Sequence, residues 1–366
     1  MKIELIDNKV FFENHGLRKE IHPFWLRERV NGDDHVDKKT QQRLFDPTNL
    51  QNNIKIDNID LSKDFLEVKF TDGTFTKLAI TNILKEFSNT NEVKHIKKIR
   101  WDSSLNDFNN FEFKENFFND EEMYKALQSF YKFGFVIFKN VPIKDNFIVS
   151  FANSIGSIRR TNFGEFFNVK SKPNPNDLAY TSLPLAPHTD NPYRNPVPCI
   201  QMLHCIENEV SGGLSTLVDG YTVTEKLKNN FPDYYKILTE IKVRFQFIDN
   251  SVVLEDWAEM IQLDENGNFK QVRFSPRLDF VPLMDRDKLD LYYSARKKIS
   301  ELYNSDKFRI EFKLLPGDLL MMDNHRLLHG RTTFNANEGK RFLQGCYIDY
   351  DSTEGKLKHL KRKFNF

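Results

Sequence analysis

Cysteine is scarce. The 366-residue chain has three, Cys199, Cys205 and Cys346, and none stands in a CxxC pair. An odd number without that spacing excludes a disulfide framework and a cysteine-rich zinc finger as organising features. A long apolar run is also lacking, so no stretch reads as a membrane span. Ile3, Leu5 and Ile6 alternate with charges behind Met1-Lys2 and do not read as a signal-peptide core. A net charge is lacking too: 53 Lys and Arg against 52 Asp and Glu leave a formal charge of +1. Bulk electrostatics therefore provides no grip on nucleic acid or on an acidic membrane. What is abundant is Phe, 34 residues in a chain that is 39% hydrophobic, and each ring can bury ~150–250 Å². The expectation is a reduced, cytoplasmic globular protein of about two domains.

Residues 1–95 read as a small β-rich domain. Its clearest hairpin runs Phe65–Phe70, then Thr71-Asp72-Gly73-Thr74, then Phe75–Ile80. Asp-Gly supplies the positive-φ positions of a tight turn, and both flanks alternate. Residues 96–119 are polar, irregular and Asn-rich, and read as a linker. From residue 120 to 366 the chain reads as a second domain. Asp120-Glu121-Glu122 starts a helix, Gly134 ends it, and Phe135–Phe138 continues as a buried strand. Short strands then dominate, interrupted by helices near Val223–Phe231 and Leu289–Tyr303. The fold class expected is mainly β with flanking helices.

Among nine histidines, Pro187-His188-Thr189-Asp190 stands out. In strand-like sequence, positions i and i+2 share a face, so one imidazole and one carboxylate can converge on an ion. The second histidine is expected from Met321–Arg331, where His329 follows a Pro-Gly-Asp turn and a strand. Gly330 permits an unusual backbone angle there. Two His and one carboxylate leave three positions of an octahedral metal open, the arrangement of non-haem Fe(II) oxygenases. A catalytic zinc site uses similar ligands but needs one open position. Arg341 lies twelve residues after His329, in another strand-like run. If antiparallel strands carry the two, a guanidinium can sit beside the metal and pair bidentately with a carboxylate. His204 and His325 are expected to be structural, with His325 in a strand, and the cysteines to be small buried hydrophobes.

Several stretches in order resemble the γ-butyrobetaine and trimethyllysine dioxygenases: Asn162-Phe163-Gly164, Asn176–Thr181, Pro187–Tyr193, Gln201–Cys205, Gly212-Gly213, Val218–Gly220, Pro316–Asp318 and Arg326–Arg331. These are 2-oxoglutarate-dependent oxygenases related to taurine dioxygenase. The resemblance runs from about residue 120 to the C-terminus, and His22–Arg27 resembles that family's N-terminal domain. It implies a double-stranded β-helix (jelly-roll) catalytic core. It implies that His188, Asp190 and His329 are catalytic iron ligands and that Arg341 holds the distal carboxylate of 2-oxoglutarate. Ser215 would share that carboxylate and Leu203 would line its pocket. The implied reaction uses Fe(II), 2-oxoglutarate and O₂, yields succinate and CO₂, and hydroxylates an unactivated C–H.

The resemblance further implies an aromatic cage at Phe163, Phe167, Tyr180 and Tyr347, suited to a quaternary amine through cation–π contacts of ~0.5–2 kcal/mol each. Asp177, Asn191 and Ser275 would face the rest of the substrate. Asp177 and Ser275 stand where Asn is usual, and a carboxylate at 177 attracts an amine and repels a carboxylate. Trimethyllysine or another betaine-like amine thus fits as well as γ-butyrobetaine. Relatives hold a structural zinc in the N-terminal domain through three Cys and one His. No cysteine precedes Cys199, so no zinc is expected and His35 is read as part of a solvated turn. A homodimer is implied. Two alternatives remain open: a taurine-dioxygenase-like oxygenase of a sulfonate or small acid, and a non-catalytic metal-dependent binding module.

Overall fold

In a computed structural model of the protein, residues 2–7, 9–14, 17–88, 96–106, 110–114, 116–170, 183–335 and 337–365 are described. The chain divides into two compact units, Met1–His95 and Ile96–Phe366. Among the described residues, no helix is long and apolar enough to cross a membrane.

The first unit holds two three-stranded antiparallel meanders. One runs Lys2–Ile6, Lys9–Asn14, Leu17–Glu20; the other runs Ile56–Leu61, Phe65–Phe70, Phe75–Ala79. Alternation along Phe65–Phe70 buries Leu66, Val68 and Phe70 against Leu26, Val30 and Ile59. Gly73 at φ 83° makes the turn, and Asp72 caps it by accepting from the Thr74 N–H at 3.0 Å. Asp72 also pairs with the buried Arg27 at 2.7 Å.

The second unit is a double-stranded β-helix. Its larger sheet runs in the order Asn110–Glu112, Phe135–Lys139, Leu319–Asp323, Ile200–Asn208, Arg341–Ile348, Phe166–Lys170. Its smaller sheet runs Leu185–His188, Leu327–Arg331, Ser215–Asp219, Arg309–Phe312. The sheets share a core of Cys205, Leu320 and Met322 from one and Leu217, Ile310 and Leu327 from the other. Helix Glu121–Phe133 starts where Asp120 accepts from the Met123 N–H at 3.1 Å and stops at Gly134, φ 85°. A long excursion between Gly220 and Arg309 packs three helices and a three-stranded sheet around Phe245, Phe274, Tyr292 and Tyr303.

The stretch 96–119, expected as a linker, belongs to the second unit. The buried Trp101 donates its indole N–H to Phe133 O at 2.7 Å and its backbone N–H to Thr222 Oγ1 at 3.1 Å. Asn110–Glu112 adds a parallel strand beside Phe135–Lys139. Polar, Asn-rich sequence signals irregular backbone; it does not distinguish a free linker from a strap pinned by one aromatic ring. The basic C-terminal end closes the chain as a helix, Tyr350–Phe364.

Candidate active site

His188 and His329 are direct register partners on adjacent antiparallel strands, with ring centroids 4.4 Å apart. Their Nε2 atoms lie 3.5 and 3.7 Å from Asp190 Oδ1. All three donor atoms fall within 4.8 Å of one another. The strand pairing at this point is tight. A Cβ on Gly330 would sit 2.4 Å from Leu185 O, so close approach of backbones, rather than an unusual φ, is what glycine serves there.

Asp190 does not share a strand face with His188, as the i, i+2 argument expected. The strand ends at His188, and Asp190 lies beyond it, before Asn191 at φ 52°. Its backbone is tethered instead. The Asp190 N–H donates to Asn324 Oδ1 at 2.8 Å, and Asn324 Nδ2 donates to Asp190 O at 3.0 Å. Asn324 is fully buried in the turn just before the His329 strand, so one amide joins segments that are far apart in sequence. His325 sits in that turn rather than in a strand, with Nε2 3.1 Å from Val197 O.

Each imidazole is prepared for ligation in its own way. His188 Nδ1 donates to Ala186 O at 2.9 Å, which leaves the Nε2 lone pair facing Asp190. Burial pushes the His329 ring down to about 4, against the pull of Asp190 and with help from His188, so it is neutral at pH 7. Burial works to raise the Asp190 carboxyl, but His329, His188 and the Tyr347 hydroxyl together hold it well below the usual range. Asp190 Oδ2 accepts from Tyr347 Oη at 2.7 Å and from Gln201 Nε2. Burial and the adjacent Asp190 raise the Tyr347 phenol well above its ordinary value, so it stays a donor. An ionised carboxylate between imidazole lone pairs is a donor set for a divalent transition metal with open positions.

Arg341 enters from the larger sheet, so it faces the His329 strand across the barrel instead of pairing with it. Its Nε donates to Gly213 O at 3.3 Å, and a Cβ on Gly213 would lie 2.9 Å from that nitrogen. Burial, then the neighbouring Arg331, pushes Arg341 down to about 10. Among the described residues, no carboxylate lies within ion-pair distance of Arg341. Ser215, the register partner of Arg331, and Leu203 line the same cavity. Arg331 was missed in the sequence although it stands at i+2 from His329. Burial lowers it to about 10 as well, so this end of the cavity is strongly cationic.

The cavity has a volume of about 370 Å³. Phe163, Phe167, Asn191, Ser275 and Tyr347 line it. Asp177 and Tyr180 lie outside the described residues. Phe167 and Tyr347 face each other at 5.3 Å. Tyr193, Phe247 and Arg277 also line the cavity and were not foreseen. Phe247 stacks on Tyr193 at 5.0 Å and meets Phe163 edge-on at 5.7 Å. It comes from the excursion, where only strand alternation in Val243–Phe247 marks it. Asn191 Oδ1 accepts from Tyr193 Oη at 2.6 Å, and its buried Nδ2 has no hydrogen-bond partner among the described residues. His204 lies outside the cavity, buried in the larger sheet. Cys199, Cys205 and Cys346 are buried, and burial raises each thiol to about 12.

The profile of the taurine catabolism dioxygenase TauD, TfdA family matches residues 98–347. A gamma-butyrobetaine dioxygenase from Pseudomonas sp. (strain AK-1) is 29% identical over 353 residues, spanning 95% of this chain and 92% of that protein. The mitochondrial trimethyllysine dioxygenase of Mus musculus is 27% identical over 345 residues, spanning 89% and 79%. Among solved structures, a mutant of the non-heme iron oxygenase OrfP in complex with (3S)-hydroxy-L-Arg superposes with a TM-score of 0.50 at 17% identity, covering 63% of this chain and 81% of that one.

Proposed function

Since the chain belongs to the TauD, TfdA dioxygenase family and is an Fe(II)- and 2-oxoglutarate-dependent dioxygenase, we propose that it hydroxylates an unactivated C–H of a small trimethylammonium substrate such as γ-butyrobetaine or trimethyllysine. One observation carries this reading: a single cavity joins the His188/Asp190/His329 cluster, a buried cationic end and a wall of aromatic rings.

His188, Asp190 and His329 would hold Fe(II). The donor set fits that ion, with one imidazole locked in the ligating tautomer and the carboxylate ionised. When bound, iron with 2-oxoglutarate and O₂ supplies the oxidising chemistry; the protein supplies binding and orientation. Arg341 would bind the distal carboxylate of 2-oxoglutarate, with Arg331 reinforcing the local field and Ser215 offering a hydroxyl. Its low-dielectric setting strengthens that pairing relative to water. Leu203 excludes water from the same end. Phe163, Phe167, Tyr180 and Tyr347, joined by Phe247, would present ring faces to the trimethylammonium group. Asp177, Asn191 and Ser275 would address the remainder of the substrate, and the unpartnered Asn191 Nδ2 is a donor suited to an acceptor there. Residues 1–95 would serve packing and homodimer formation rather than chemistry; a single-chain mass in sedimentation would overturn the dimer.

Succinate formation tests the reading, measured with Fe(II), ascorbate, O₂ and 2-oxoglutarate across γ-butyrobetaine, trimethyllysine, other betaines and taurine. Turnover with a quaternary amine is expected, and Tyr180→Ala should cripple it. Arg277 on the cavity wall favours a second reading, a sulfonate or other small acid. Turnover with taurine alone would select that reading and discard the amine.

A further inference from the structure

Asp190 presents its two oxygens to different surroundings. Oδ1 faces both imidazole Nε2 atoms, at 3.5 and 3.7 Å. Oδ2 is turned to the opposite sheet, where it accepts from Tyr347 Oη at 2.7 Å and from Gln201 Nε2. These donors are not accidental neighbours. Gln201 and Tyr347 are direct register partners on adjacent strands of the larger sheet, so their side chains rise together from one face. Both are buried, at 2% and 4% exposure. Gln201 Oε1 has no hydrogen-bond partner among the described residues, so the amide is held through its Nε2 end. The opposite orientation would set its carbonyl oxygen against the carboxylate.

We infer that Gln201 and Tyr347 form a two-donor clamp that fixes Asp190 as a one-oxygen ligand, making both of them positioning residues for the metal centre. A carboxylate oxygen has about two lone-pair directions. Two donors on Oδ2 occupy both, so only Oδ1 is offered to the ion. A carboxylate free to chelate through both oxygens would take a fourth of six positions. The cosubstrate's two donor atoms and O₂ need three. The clamp thus preserves the open half of the coordination sphere. Tyr347 thereby has two roles on one side chain: its ring packs against Phe167 in the cavity wall, and its hydroxyl holds the iron ligand. This inference rests on the reading of His188, Asp190 and His329 as iron ligands.

The test uses the full chain and the metal alone. Fe(II) is titrated anaerobically by calorimetry into the wild type, Tyr347→Phe and Gln201→Leu, and the visible spectrum of the Co(II) form of each is recorded. Tyr347→Phe keeps the ring and removes only the hydroxyl. Losing an outer-shell partner typically weakens metal affinity ~10–100-fold, so each variant is expected in that range, with a changed Co(II) spectrum. If Gln201→Leu does not fold, Tyr347→Phe decides alone. Wild-type affinity and spectrum in Tyr347→Phe would overturn the clamp. Weakened affinity with an unchanged Co(II) spectrum would also overturn it, marking general loosening. A wild type that binds no Fe(II) would instead overturn the ligand assignment beneath it.

Discussion

Two carboxylates in the same unit, Asp219 buried and Asp190 half-buried, show opposite solutions to one problem. Asp219 is closed. Arg326 grips it bidentately, Nε to Oδ1 and Nη2 to Oδ2, each at 2.9 Å. The same guanidinium donates to Lys132 O and Ile99 O, so four of its five N–H groups are engaged by the fold. Asp190 is open. It is held by two imidazoles, a phenol and an amide, none of them a permanent cation. Arg341 is the complementary case, a buried guanidinium whose only hydrogen bond among the described residues runs to a backbone carbonyl. Burying a charge without its counter-charge is costly. The Asp219–Arg326 pair matches charge with charge and stabilises structure. Asp190 and Arg341 are each left to be matched by something that binds, one a cation and the other an anion.

The sharpest way to break this contrast is to delete the open carboxylate. Asp190→Ala is expected to take Fe(II) binding and succinate formation to background at a stability cost of about 1–3 kcal/mol, as the buried Gln201 and Tyr347 donors lose their acceptor. Calorimetric Fe(II) titration and urea unfolding read the two effects; a large loss of stability would make Asp190 structural. Arg326→Met should do the reverse. It strands a buried carboxylate, so urea unfolding is expected to show a loss of about 3–5 kcal/mol, and tolerance of the change would dissolve the contrast. Arg341→Met is expected to raise the 2-oxoglutarate requirement roughly 100-fold, as for losing about 3 kcal/mol of charge-assisted pairing, with Fe(II) affinity unchanged. Unaltered cosubstrate affinity would remove Arg341 from that role.

His204 supplies the smallest and most diagnostic effect. Both its ring nitrogens are buried without partners among the described residues, and burial alone lowers it from 6.5 to about 4. Between those values the unfolded chain binds a proton that the folded protein refuses, so stability falls as pH drops from about 6.5 towards 4. At pH 5 the penalty is about 2 kcal/mol. His204→Leu should flatten that part of the stability–pH curve, measured by urea unfolding at pH 7 and pH 5. An unchanged slope would mean that the ring is hydrated or paired.

Much of the site was legible in the chain. His188, Asp190 and His329 converge, and Arg341, Ser215 and Leu203 line one cavity with Phe163, Phe167 and Tyr347. The errors share a cause. Spacing put Asp190 on a strand face, whereas Asn324, 134 residues away, carries its backbone. Spacing also suggested that His329 and Arg341 lie on paired strands, whereas they lie in opposite sheets. Tyr347 read as an aromatic wall, and its hydrogen bond to Asp190 had no sequence signal because the partner comes from another segment.

What the amino-acid order determined by itself is local: caps and turns such as Asp120, Gly134 and Asp72-Gly73, strand alternation, and the side-chain types able to bind a metal, an anion or a soft cation. These follow from dihedral preference and periodicity over a few residues. Which distant groups became partners was set by the packed fold. Gln201 meets Tyr347 through strand register, Asn324 meets Asp190 through a buried turn, and Phe247 meets Phe163 through packing of the excursion. Those choices depend on burial and docking summed over the whole unit, which no short window of sequence contains.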